Sequence, residues 1–400
     1  MINNEQNQIT KRLIDIKKLF SFLLILIPVN VPVIILYLLG IFSVIIYRIS
    51  LRNSQTADFF RDTLGYALRF ILTGATYYIP FSLGEFILFI SLPCSVFILV
   101  RFIIKIKRSD YKLKDFLKGL SRFTAFLCCF MFIFAFTLGI CYGTSPVNKN
   151  IGFERRLISS GDLIYAMTVL ISEANSESEN IKYIYAQTGS TKMPYGLNEL
   201  NKKLNESYIN LSEEHDFLKL IRAKAKPIII SEIFSKMHIT GIYSFFTGEA
   251  NINIIFPDYN LPFAAAHEMA HLMGVAREDE ANFTAFLACL YSGDSYIRYS
   301  GLVTMIEYLR TPLFLSDQDA YYEITAGLSS VIANELLAYS RFFDKYRNEP
   351  IAKVSSAVND AYLKAQSEGR KEENEKDLGL ETYGLARDLA AIYLCDIYKK

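Results

Sequence analysis

The chain has no tryptophan and only four histidines in 400 residues. Without Trp, any aromatic belt at a membrane surface must come from its 26 tyrosines. Charge is also sparse: Asp, Glu, Lys and Arg make up 21% and the net charge is +1. That balance gives no basic footprint for a nucleic acid, so no nucleic-acid partner is expected. Cysteine is too thin for a disulfide framework. Of the six, Cys94, Cys128, Cys129 and Cys141 fall in apolar runs, which leaves Cys289 and Cys395. A bridge between those two is one open pairing, but buried free thiols are the expected state. No cysteine spacing suggests a thiolate metal site.

Apolar residues are plentiful, at 52% of the chain. They are concentrated in the first third, which implies a membrane part joined to a soluble part. Residues 1–18 are polar and end in Lys11, Arg12, Lys17 and Lys18. An apolar run from Leu19 to Tyr47 follows, read as one tilted or Pro-kinked span because two spans would need about 20 residues each. Residues 48–82 are amphipathic (Phe59, Leu64, Ala67, Phe70, Ile71) and suggest a helix lying on the outer surface. A second span is expected over 83–104 and a third over 123–143, with a basic loop, 105–122, between them. Lys and Arg favour the cytoplasmic side. The N-terminus and the 105–122 loop then lie inside, and 48–82 and 144–400 lie outside, in a multi-pass protein of the cell membrane.

The outer part reads as mostly helical, with helices near 152–175, 197–223, 262–274, 278–291, 295–311, 317–346, 351–367 and 382–398. Pro194, Pro227, Pro257, Pro262 and Pro312 mark boundaries, and 367–379 reads as an exposed loop. The one strand signal is the alternation Ala250–Phe256, between Gly248 and Pro257. The fold class expected is therefore mainly α: three N-terminal transmembrane helices, then a mostly helical extracytoplasmic domain with a small β element.

Two of the four histidines stand in Phe263-Ala-Ala-Ala-His267-Glu268-Met-Ala-His271. Residues four apart share a helix face, so His267 and His271 can aim two imidazoles at one metal ion. Glu268 flanks that point without having to bind, which suits a base that deprotonates water. A zincin needs a third ligand, and Glu278 and Glu280 are the candidates. On one unbroken helix Glu278 would sit about 10 Å beyond His271. A break at Gly274-Val275 must fold a second helix back. Glu278 then shares a face with Asn282, a possible supporter of a ligand, and helical phase favours Glu278 over Glu280.

His267-Glu268-x-x-His271 followed by Glu278-x-x-Ala281-Asn282 resembles the gluzincin-type zinc metallopeptidases. The longer text Phe246–Asn253, Leu261–His271, Ala276–Phe283 and Arg298–Gly301 resembles a bacterial family of multi-pass membrane proteins, the domain of unknown function 3810 family. The resemblance implies a zincin-like fold and a zinc peptidase. In gluzincin-like sites an edge strand pairs with the peptide substrate. Gly248–Asn253 stands in that place, and either that role or an ordinary strand of a small sheet fits it. Tyr383-Gly384 and Arg387 resemble a text of the same family, which makes Tyr383 a candidate donor to the oxyanion. His215 reads as a solvated surface residue, and His238 has no assigned role.

The function expected is a membrane-anchored zinc-dependent peptidase. Its metal is Zn2+, held by His267, His271 and Glu278, with Glu268 and Tyr383 catalytic, and its partners are the lipid bilayer and a peptide or protein substrate. The alternative keeps the metal and drops catalysis: a membrane sensor or scaffold with a ligand-binding ectodomain.

Overall fold

The computed structural model describes residues 30–346 and 382–398, with single positions at 350, 351, 353 and 357. The polar N-terminus, the start of the first apolar run, most of the helix expected over 351–367 and the loop expected over 367–379 lie outside the described residues. In chain order the helices are α1 (Val31–Ser50), α2 (Ser54–Phe60), α3 (Tyr66–Thr76), α4 (Leu83–Arg108), α5 (Lys112–Thr137), α6 (Val147–Ile151), α7 (Ser160–Ser178) and α8 (Leu197–Glu214). Strand β1 (Ala225–Pro227), α9 (Ser231–Lys236), β2 (Gly241–Ser244) and β3 (Glu249–Ile252) follow. The chain continues as α10 (Asn260–Leu272), α11 (Glu278–Leu290), α12 (Ser295–Ser316), α13 (Gln318–Thr325), α14 (Ser330–Tyr346) and α15 (Thr382–Asp396). The fold is mainly helical.

The chain forms two compact units, each of them discontinuous in sequence. The first takes residues up to Ile46 together with Phe86–Ala135, and so most of α1, α4 and α5. These three helices are long and apolar enough to cross a membrane. Every residue from Phe86 to Val100 is exposed, an apolar surface that water does not tolerate at this extent. Pro93 inside α4 is the kind of breaker that membrane helices accommodate. Gly40 packs so close to Cys128 that a Cβ would stand 2.6 Å from the cysteine Cβ, and Tyr37 Oη lies 2.5 Å from Thr124 Oγ1. Small residues and interhelical hydrogen bonds are the usual joints between such helices. The basic stretch 105–122 is not a loop. α4 runs on to Arg108 and α5 starts at Lys112, because Lys, Leu and Asp in Lys112–Leu117 are compatible with helix even where hydropathy ends.

The second unit joins Tyr47–Glu85 to Phe136–Lys400. Its sheet has the order β1-β3-β2. β1 pairs parallel to β3 with Ala225 opposite Ala250, and β2 pairs antiparallel with Ile242 opposite Asn251. β3 is thus the central strand, so the edge-strand reading of Gly248–Asn253 is corrected. The outer side of β1 is taken by Asn201 of α8, which accepts from Ala225 N at 2.8 Å and donates to Ala225 O at 3.0 Å. No strand flanks the far side of β2 among the described residues, and the register turns the main-chain groups of Gly241 and Tyr243 that way.

Helix α10 is buried all round, which marks a core helix. Tyr208 of α8 donates to Ala266 O at 2.6 Å and fastens the neighbouring helix to it. Phe153, Phe283 and Tyr393 meet edge to face where α11 and α15 pack. α12 runs through Pro312, which had marked a boundary; Leu313, just beyond it, is fully buried and holds the last turn in the core. The helix expected over 317–346 is two, α13 and α14. All six cysteines are free, so Cys289 and Cys395 form no bridge.

The segment from Thr73 to Glu85, which runs from α3 into the first turn of α4, is woven into this unit by buried polar bonds. Glu249 of β3 accepts from Leu83 N at 3.0 Å, Gly84 N at 2.7 Å and Lys226 Nζ at 2.5 Å. Lys226 also donates to Thr76 O at 2.8 Å. Glu85 accepts from Ile229 N and Ile230 N, both at 2.9 Å, and Thr73 Oγ1 donates to Gly248 O at 2.9 Å. Gly248 has φ +67°, and a Cβ there would stand 2.8 Å from Thr73 N. Glu249→Ala leaves a buried ammonium without its counter-charge and two N–H groups without their acceptor, and should destabilise by about 3–5 kcal/mol. Lys226→Met with Glu249→Gln should recover part of that loss. Thermal unfolding of the full-length protein in detergent checks this, and an unchanged midpoint for Glu249→Ala would refute it.

Candidate metal centre

The turn after α10 builds the site. Gly274 adopts φ +97°, and Val275 N donates to Ala270 O at 3.1 Å, the long hydrogen bond of a helix end closed by a left-handed residue. The chain reverses there, and Arg277, in extended conformation, leads into α11. Glu278 is the first residue of α11, so it returns beside the face of α10 that carries both imidazoles.

His267 Nε2 and His271 Nε2 lie 3.0 Å apart. Glu278 Oε2 is 3.3 Å from the first and Oε1 is 3.6 Å from the second. Four ligands at the usual zinc bond lengths around a tetrahedron lie about 3.3 Å from one another. The spacing of these three groups therefore fits a single small cation, and the three form a candidate metal cluster. The donor set, two imidazoles and one carboxylate, suits zinc.

Tautomer supports the fit. His271 Nδ1 stands 2.8 Å from Val275 O and must donate to it, since the carbonyl can only accept. In the neutral ring Nε2 therefore carries the lone pair, turned toward the cluster. His267 lacks such an anchor: among the described residues its buried Nδ1 has no partner. His267 and Glu278 retain side-chain exposures of 12% and 29%, so the cluster opens on one side.

Glu268 is buried, and among the described residues its Oε2 has no hydrogen-bond partner. Burial pushes its pKa up to about 7, against the pull of the two imidazoles. Burial also works against a charged His271, but Glu278 outweighs it and holds the imidazole up to about 9. Glu278 itself, despite burial, is held well below the usual carboxylate range by His271 and His267. A cation at the point where these groups converge would displace the proton they otherwise share.

Glu280 does not join them. Its carboxylate accepts from Val147 N at 3.0 Å and pairs with Arg155 and Arg277. Asn282 is buried on α11 and, among the described residues, makes no side-chain hydrogen bond to the three groups. Tyr383 lies in the first turn of α15, and its side chain is outside the described residues. His215 is half-buried against Tyr291, and His238, at φ +58°, packs on Phe343; neither belongs to the cluster.

Gly241 joins the site although no sequence pattern singles it out. A Cβ there would stand 2.5 Å from Glu268 Oε1 and 2.7 Å from Glu268 Cγ. Only a residue without a side chain lets the carboxylate lie against β2. The signal was weak, since a glycine beside a strand usually marks only its start.

No curated protein and no solved structure matches the chain. The family described as "Protein of unknown function (DUF3810)" matches residues 66–374, a span that holds the whole cluster and all three strands. With well over half of its length matched, the chain belongs to that family.

Proposed function

We propose that the protein is a membrane-anchored, zinc-dependent peptidase with a zincin-like fold in its site-bearing unit. The observation that carries this is the convergence of His267, His271 and Glu278 beside a buried acid, Glu268, that none of them uses. A scaffold that only bound metal would have no need of that carboxylate. The basic residues of 105–122 favour the cytoplasmic side, which puts the cluster outside.

His267, His271 and Glu278 would hold zinc, leaving a fourth position open. Bound there, zinc supplies Lewis acidity for a peptide carbonyl and for water. Glu268 takes a proton from the attacking water and delivers it to the leaving amine. Its buried setting, with one carboxylate oxygen that makes no hydrogen bond among the described residues, suits both halves of that transfer. The flank of β2 that carries Gly241 and Tyr243 is suited to align an extended peptide by main-chain hydrogen bonds.

Three outcomes are expected from the full-length protein in detergent. Glu268→Gln should lower cleavage of a mixed peptide library by about 100-fold or more while metal content by mass spectrometry stays at the wild-type level. His267→Ala, His271→Ala and Glu278→Ala should each lose the metal. Gly241→Ala should keep the metal and slow turnover by about 10-fold or more through displacement of Glu268. Full metal content with no cleavage of any peptide would instead favour a sensor or scaffold.

A further inference from the structure

We infer that the α2–α3 segment lies on the bilayer as an interfacial helix whose outer face contacts lipid. The inference rests on the reading of α1 and α4 as membrane spans. From Phe59 to Tyr78 the exposed positions include Phe59, Thr63, Ala67, Phe70, Ile71 and Tyr78. From Phe59 to Ile71 they recur every three or four residues, so they line one side of the segment, in which a wider π-turn, Arg61–Gly65, joins α2 to α3; Tyr78 follows just past α3. None of them is charged, and Phe70 and Ile71 are 56% and 63% exposed.

The charges of the segment lie elsewhere. Arg69 is fully buried and donates to Arg61 O at 3.0 Å. Arg61 pairs with Asp58 and Asp62, and Asp58 also accepts from Ser145. A helix washed by water would show the reverse, with charge outward and Phe and Ile inward. The opposite face is already occupied, since Thr73 and Thr76 bond the turn at Thr247-Gly248. Among the described residues, only the apolar side remains uncovered.

Two observations select lipid as the occupant. The segment is tethered at both ends: α1 ends at Ser50 and α4 begins at Leu83, so few residues separate it from either candidate span. At its C-terminal end Arg222 and Lys224 stand over the Tyr77 ring, at 5.4 and 4.2 Å, where cations meet lipid phosphates. Uncharged aromatic and aliphatic groups flanked by basic ones are the pattern of helices lying in the plane of a membrane surface.

The absence of tryptophan makes the test clean. Single-Trp variants of the full-length protein, Ile71→Trp and Phe70→Trp, are placed in phosphatidylcholine vesicles with bromine at shallow or deep acyl positions. Phe97→Trp, within α4, serves as the reference. Shallow bromine should reduce the emission of both segment variants about two-fold or more, since such side chains sit about 5–10 Å into the headgroup boundary. Deep bromine should quench Phe97→Trp more strongly than either of them. Quenching of Phe97→Trp alone overturns the inference and leaves the spanning reading intact. Blue-shifted emission of Ile71→Trp without bromine quenching means that protein covers this face, which also overturns it. If no variant is quenched, the spanning reading fails and the inference with it.

Discussion

Everything at the metal centre depends on one backbone reversal. Glu278 reaches the imidazoles only because Gly274 takes a left-handed conformation, φ +97°, and lets α11 start where α10 has just ended. A side chain at that position would be strained by its φ and would also crowd Arg69 Nη2, 2.9 Å from an ideal Cβ. Gly274 thus serves two constraints at once: it closes the helix and it admits a buried guanidinium from the segment between the apolar helices. The carbonyl of Val275, one residue on, sets the tautomer of His271. One short turn therefore sets both the position of Glu278 and the tautomer of the neutral His271 ring.

The acids beside this turn divide by environment. Glu278, Asp279 and Glu280 are consecutive, yet Asp279 and Glu280 face Arg155, and Glu280 faces Arg277 as well. Their charges are neutralised by fixed guanidinium groups, which makes them structural. Glu278 has only imidazoles near it, and those can exchange a proton for a metal. Glu268 lies near the same imidazoles but makes no ion pair among the described residues, and there one of its oxygens has no hydrogen-bond partner, which sets it apart as a group suited to accept and release a proton.

Much of this was legible from local sequence. The four-residue spacing of His267 and His271, the glycine at 274 and the helical phase that separates Glu278 from Glu280 are short-range facts. The apolar runs were legible for the same reason. Pairing was not: one alternating run over Ala250–Phe256 cannot reveal that β3 has a neighbour on each side, because β1 and β2 carry little alternation of their own. Gly241 was likewise invisible, since its importance comes from a side chain that is distant in sequence. Pro312 does not end its helix because packing of the following turn outweighs the lost hydrogen bond, and in the basic stretch 105–122 helix continues past the end of hydropathy.

The bonds that tie Thr73, Gly84 and Glu85 to Gly248, Glu249 and Ile229–Ile230, and Thr76 to Lys226, have a practical corollary. A recombinant fragment starting after the third apolar helix would begin with its central strand missing several buried counterparts. Severed from Tyr47–Glu85, such a fragment should be prone to aggregate, so a loss of activity in it would say nothing about the chemistry of the intact protein.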